Sequence, residues 1–175
     1  MNTILQTLQL EIASSLRTLD VGQTQLRPPE TPGRWSIQQI MEHLLLTYSA
    51  AGTALSARIA KHAPTKATPT LKNRVQQFAT FGLGYIPTGR QAPPMVTPPS
   101  TPAPQSGVQL THAASQSLLN FDGICTEAEG LFGASRCASH LVFGPLSVDQ
   151  WRMFQLVHGR HHLKQIAAIR KAHNL

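Results

Sequence analysis

The sequence predicts an all-α fold, a four-helix bundle with a long Pro-rich crossover between helices two and three. Three observations lead there. Apolar residues recur at three- and four-residue steps in four separate stretches. Two of those stretches open on a capping box flanked by a hydrophobic staple, the local chemistry that starts a helix. No convincing run alternates apolar and polar residues with the period of two that a half-buried strand requires.

Helix one spans Ile4 to about Leu19, with Leu5, Leu8, Ile12, Leu16 and Leu19 on one face and Asn2 or Thr3 as cap. The Pro-, Gly- and Thr-rich stretch that follows is a loop. Helix two starts at Ser36, whose side chain and that of Gln39 make a capping box while Trp35 and Ile40 make the staple, and it runs to about His62. Its stripe is Ile37, Met41, Leu44, Tyr48, Leu55 and Ile59. His43 lies off that stripe beside Thr47, Ala50 and Ala54, a flank of small residues that reads either as room for a cavity or as a tight helix contact. A short helical segment over 71–81 carries Leu71, Val75 and Phe78. The stretch at about 86–106 holds too many prolines for helix or central strand, and is either a disordered linker or an ordered crossover covering one end of the bundle. Helix three runs from about Thr111 to Phe132. Helix four starts at Ser147, boxed with Gln150 and stapled by Leu146 and Trp151, and reaches about Ile169.

The chemistry concentrates in helix four. At 100° per residue, Trp151, Phe154, His158, His161, His162, Gln165 and Ile169 share one sector, the one an amphipathic helix buries. His158 and His162, four apart, are neighbours on that face and suit chelation of one ion. A third imidazole comes from His43 on helix two. A lone inward histidine is usually a satisfied core residue, but burying several without partners costs about 1–3 kcal/mol each, which a shared ion removes. His161 is read as supporting a ligand from behind or touching substrate. His62, His112 and His173 are read as surface residues, and Arg90, Met95, His140 and Phe143 as the mouth of the pocket. An imidazole from His140 in the fourth position would close the site, leaving it structural rather than catalytic.

At 175 residues the chain predicts a single domain covering 1–175. Lys and Arg number 15 against 8 acidic residues, but the excess is dispersed and no recognition motif or aromatic platform accompanies it, so no nucleic-acid partner is expected. No apolar run approaches the roughly 18–20 residues a membrane span needs. Without a basic leader or a CxxC pair, Cys125 and Cys137 are read as reduced thiols of a soluble cytoplasmic protein.

The order and spacing of WSIQQIMEHL, SHLVFGPLSVDQW and HGRHHLKQ resemble the DinB-like superfamily of metal-binding enzymes, over essentially the whole chain. The resemblance implies a four-helix bundle, often a homodimer, and a divalent metal held by His43, His158 and His162, with zinc or nickel the ions expected. It also implies relatedness to thiol-dependent S-transferases, hence a small-molecule substrate, a low-molecular-weight thiol, held by His161 or Gln165. The residues themselves agree. HGRHH puts Gly159 where the HExxH peptidases have their general base, and three neutral imidazoles leave the charge of a divalent ion uncompensated, which favours an anionic fourth ligand. Metal-water hydrolysis and a non-catalytic metal-stabilised binding or stress-response module are the competing readings.

Overall fold

The computed structural model describes residues 1–87, 89 and 91–175. It is mostly helical, with five α-helices: α1 (Thr3–Leu16), α2 (Ile37–Ile59), α3 (Leu71–Gln77), α4 (Gly107–Phe132) and α5 (Val148–Ala172). Asn2 caps α1 by accepting the Ile4 N–H. Capping boxes open α2, α3, α4 and α5, at Ser36, Thr70, Ser106 and Ser147. Helix α2 lies against α4 and α5, and α1 lies against α4 and α5. The shared core includes Leu5, Leu8, Ile12, Met41, Leu44, Tyr48, Leu118, Phe121, Cys125 and Ile166. No described helix is long and apolar enough to cross a membrane.

One expectation needs correction. The fold is not purely helical, because β1 (Ala138–His140) pairs antiparallel with β2 (Gly144–Leu146). Strands of three residues are too short to show alternation in a sequence. What makes this hairpin is its loop of 141–143 closed by Gly144 at φ 68°, the left-handed position that hairpins of this length assign to glycine. A Cβ there would also fall 2.6 Å from Asn73 Oδ1. The short helical segment expected over 71–81 is present as α3 and the turn that follows it. Leu71, Val75 and Phe78 face solvent at 79%, 61% and 67% exposure, while Gln77 and Thr80 are buried. The segment docks by its polar side: the Gln77 amide donates to the Phe143 and Pro145 carbonyls at 2.9 and 3.3 Å, tying α3 to the hairpin. A wider π turn over Phe78–Gly82 ends it.

The Pro-rich stretch runs along α2. Gln39 donates to the carbonyls of Pro99 and Ser100, and Gln38 donates to that of Ala103 while accepting from the Gln105 N–H. Prolines carry no N–H, so the seven in 86–106 offer carbonyls alone. Glutamine amides are the donors that match them.

Candidate metal centre

His43 stands in the second turn of α2, with His158 and His162 one turn apart on α5. One ligand nitrogen from each lies within 4.8 Å of the others. His158 Nε2 is 3.3 Å from His43 Nε2 and 3.1 Å from His162 Nε2. Zn–N bonds of about 2.0–2.1 Å at tetrahedral angles separate nitrogens by about 3.3–3.4 Å. The three imidazoles are thus spaced to share one ion.

Their outer nitrogens decide where the lone pairs go. His43 Nδ1–H donates to the Val96 carbonyl at 2.6 Å, and His162 Nδ1–H donates to Gln165 Oε1 at 3.0 Å. Each bond fixes the tautomer that leaves Nε2 unprotonated and aimed at the shared point. His158 Nδ1 is buried with no partner among the described residues, and its ring stacks on Phe154 at 5.1 Å and 11°. If His158 is protonated on Nδ1, three lone pairs converge with nothing between them. A cation is what that arrangement fits.

Burial keeps these rings neutral. It lowers the pKa of His43 and pushes that of His162 down to about 3 and that of His158 well below the usual value, with the neighbouring imidazoles adding to the fall for His158 and His162. Neutral imidazole is the form that ligates metal.

The centre opens on a cleft of about 1490 Å³ whose walls include Trp35, Thr47, Ala50, Ala54, Met95 and Phe143. The small-residue flank of α2 therefore borders a cavity. Met95, His140 and Phe143 line it as the sequence suggests, and Arg90 lies outside the described residues.

Of the residues expected to hold substrate, His161 and Gln165 both border the cleft but are engaged with each other and with the centre. Gln165 Oε1 accepts from His162 while its amide nitrogen lies 3.3 Å from His161 Nε2, so one side chain braces one imidazole and joins it to the next. His140 does not join the metal-binding group: its Nδ1 accepts the N–H groups of Val142 and Phe143 at 3.0 and 3.4 Å. Glu42 turns away, accepting from Gln38 at 2.8 Å. Gly159 faces α1, where a Cβ would come within 2.4 Å of Leu8 Cδ1, so no base fits that position. His62 and His112 are exposed, whereas His173 is part-buried and donates from Nε2 to the Arg27 carbonyl at 2.8 Å.

Sequence reasoning missed the Val96 carbonyl. A backbone acceptor has no residue-type signature, and the only hint was a donor-hungry Pro-rich strand beside a helix of glutamines. It also missed Arg152, counted among dispersed surface charges but 2% exposed. Arg152 pairs with Asp122 at 3.4 Å, Glu129 at 2.8 Å and Asp149 at 3.3 Å.

Residues 5–168 match the model of a family described as a protein of unknown function, DUF1569. The chain belongs to that family. The match takes in all three histidines, the hairpin and the Pro-rich stretch, so the centre lies inside the DUF1569 domain. No curated protein and no solved structure matches the chain.

Proposed function

We propose that this chain is a DinB-like metalloenzyme, a four-helix bundle that holds zinc or nickel on His43, His158 and His162 and transfers a low-molecular-weight thiol to an electrophile. The observation that carries the reading is the pair of outer hydrogen bonds, His43 to Val96 and His162 to Gln165, which point two Nε2 lone pairs at the nitrogen of His158. A divalent ion held there supplies a Lewis acid that lowers the pKa of a protic group reaching its open side. His161 borders the cleft beside Gln165, which supports a role for it in meeting the incoming substrate. The sulfur forms its bond to the electrophilic carbon as the leaving group departs, and the thiol proton passes to solvent through the open cleft.

Hydrolysis is the weaker reading because among the described residues no carboxylate joins the three histidines: Glu42 accepts from Gln38, and a side chain at position 159 would meet Leu8. A closed structural site is weaker too, since the loop of the hairpin occupies His140 Nδ1. The test loads purified protein with zinc or nickel, measures bound metal, and offers a panel of small thiols with a chromogenic electrophile. The expected result is near-stoichiometric metal and a metal-dependent rate that His162→Ala abolishes. No metal-dependent rate with any thiol rules out S-transfer, and full metal content in both His43→Ala and His158→Ala rules out the site.

A further inference from the structure

His140 is the polar group in the cleft that the metal reading leaves unused. Its ring sits among Phe143, Trp151 and Phe154, with centroids 4.8, 5.4 and 4.6 Å away. Because Nδ1 accepts two backbone N–H groups, the proton of the neutral ring must sit on Nε2. Burial lowers the pKa to about 4, so the ring stays neutral around pH 7. The result is a fixed N–H donor bordering the cleft with no acceptor among the described residues. Phe154 links it to the centre, its ring 4.6 Å from that of His140 and stacked on that of His158 at 5.1 Å.

From this placement we infer that His140 is a substrate-binding residue whose Nε2–H donates to an uncharged carbonyl oxygen of the substrate, set back from the metal-bound atom by about the width of the Phe154 ring. A donor in an apolar pocket needs an acceptor from its ligand, because leaving it unpaired forfeits the hydrogen bond it made to water. A carbonyl fits better than a carboxylate, as the surrounding rings offer no countercharge. The same bond selects against thiols that lack the oxygen, since such a ligand strands the donor. This inference rests on the metal reading above and extends it to the substrate class: a thiol that bears a carbonyl group a few bonds from its sulfur.

Cobalt-loaded protein tests it, because thiol ligation to cobalt gives a charge-transfer band whether or not turnover occurs. Methyl 3-mercaptopropionate and 1-butanethiol serve as probes, of similar reach but only the first with a carbonyl. The wild-type protein is expected to bind the ester more tightly by roughly 3- to 10-fold, the value of one neutral hydrogen bond. His140→Phe, which keeps a ring in the cluster, should bring the ester down to the affinity of butanethiol, and His140→Gln, which restores an N–H, should recover part of the preference. Equal affinities in the wild type, or a preference that survives His140→Phe, would overturn the assignment while leaving the metal site intact. Failure of the wild type to take up cobalt would instead remove the metal reading and this inference with it.

Discussion

Helix α5 carries two buried polar clusters less than two turns apart, and they solve the same problem in opposite ways. At Arg152 the chain supplies both signs: a guanidinium 2% exposed meets the carboxylates of Asp122, Glu129 and Asp149. At His158 and His162, with His43, three ring nitrogens converge from two helices, and His43 and His162 turn their Nδ1 hydrogen bonds outward. The first cluster carries its own countercharges, two of which, Glu129 and Asp149, reach solvent at 49% and 75% exposure. The second gathers ring nitrogens of one kind, and it borders a cleft rather than the core. A buried polar cluster that balances itself serves the fold, whereas one that leaves its balance to a ligand marks a place where something binds.

The largest effect that would break this contrast is at Arg152. Of the three carboxylates only that of Asp122 is buried, so losing Arg152 strands one charge, at about 3 kcal/mol, the low end of the cost for a buried pair. Arg152→Met should therefore lose that much stability in chemical denaturation. Added zinc should still stabilise the variant by as much as it stabilises the wild type. If zinc no longer stabilises the variant, the two clusters are one coupled unit and the contrast fails.

Next comes the ion itself. Zinc at about 100 times its Kd should raise stability by about 2.7 kcal/mol, since it binds only the folded protein. His158→Ala should erase the gain, as read in denaturation curves with and without chelator. Acidity sharpens the same point. The folded-state pKa values of His43, His158, His162 and His140 all lie below the ordinary value, so below about pH 6.5 the unfolded chain binds more protons. Ion-free protein should be fully stable above that pH and weaken as pH falls, by about 1.4 kcal/mol per pH unit for each ring that stays neutral. An ordinary imidazole would release metal near pH 6. Here burial disfavours the competing proton, and bound zinc should persist below pH 6 in metal analysis after dialysis.

Much of this was legible in the sequence. Ser36 with Gln39 and Ser147 with Gln150 announce two helices, and the four-residue step from His158 to His162 fixes two ligands on one face, because these signals are local. The start of α4 was as local but diluted: Ser106 and Gln109 form a capping box, yet Gly107 and the exposed Val108 interrupt the apolar period that draws the eye. Other features are contacts between distant segments. Nothing near Arg152 in sequence foretells Asp122, and nothing in Val96 foretells that its carbonyl orients His43. The resemblance assigns Gln165 to the substrate, and its bonds to His162 and His161, which join it to the centre, are likewise invisible in the sequence.

Gln165 offers a smaller test of the contrast, because it is how the chain prepares a cluster it does not complete. Gln165→Leu removes the acceptor that fixes the His162 tautomer. Loss of such a partner usually weakens metal binding by about 10–100-fold. Competition with a chelator of known affinity should show that loss in the variant. The stability of its ion-free form should change little, since residue 165 is exposed. An unchanged zinc affinity would mean that His162 needs no help in facing the ion.

The smallest effect belongs to a third charged contact on the same helix. Arg160 pairs with Glu11 through its Nε and a terminal nitrogen, at 2.7 to 3.1 Å, so its geometry rivals that of Arg152. Its surroundings do not: the side chains are 49% and 34% exposed. Water solvates both charges when the pair is broken, and exposed pairs are typically worth only about 0.2–1 kcal/mol. Arg160→Ala should fall in that range and lose even that in high salt, where screening already weakens the pair. Zinc uptake should not change, although Arg160 lies between two proposed ligands in sequence, because its side chain points to α1 rather than to the cleft. A loss of several kcal/mol, or a fall in bound zinc, would show that closeness along the helix matters more than burial, and the distinction between the two clusters would lose its physical basis.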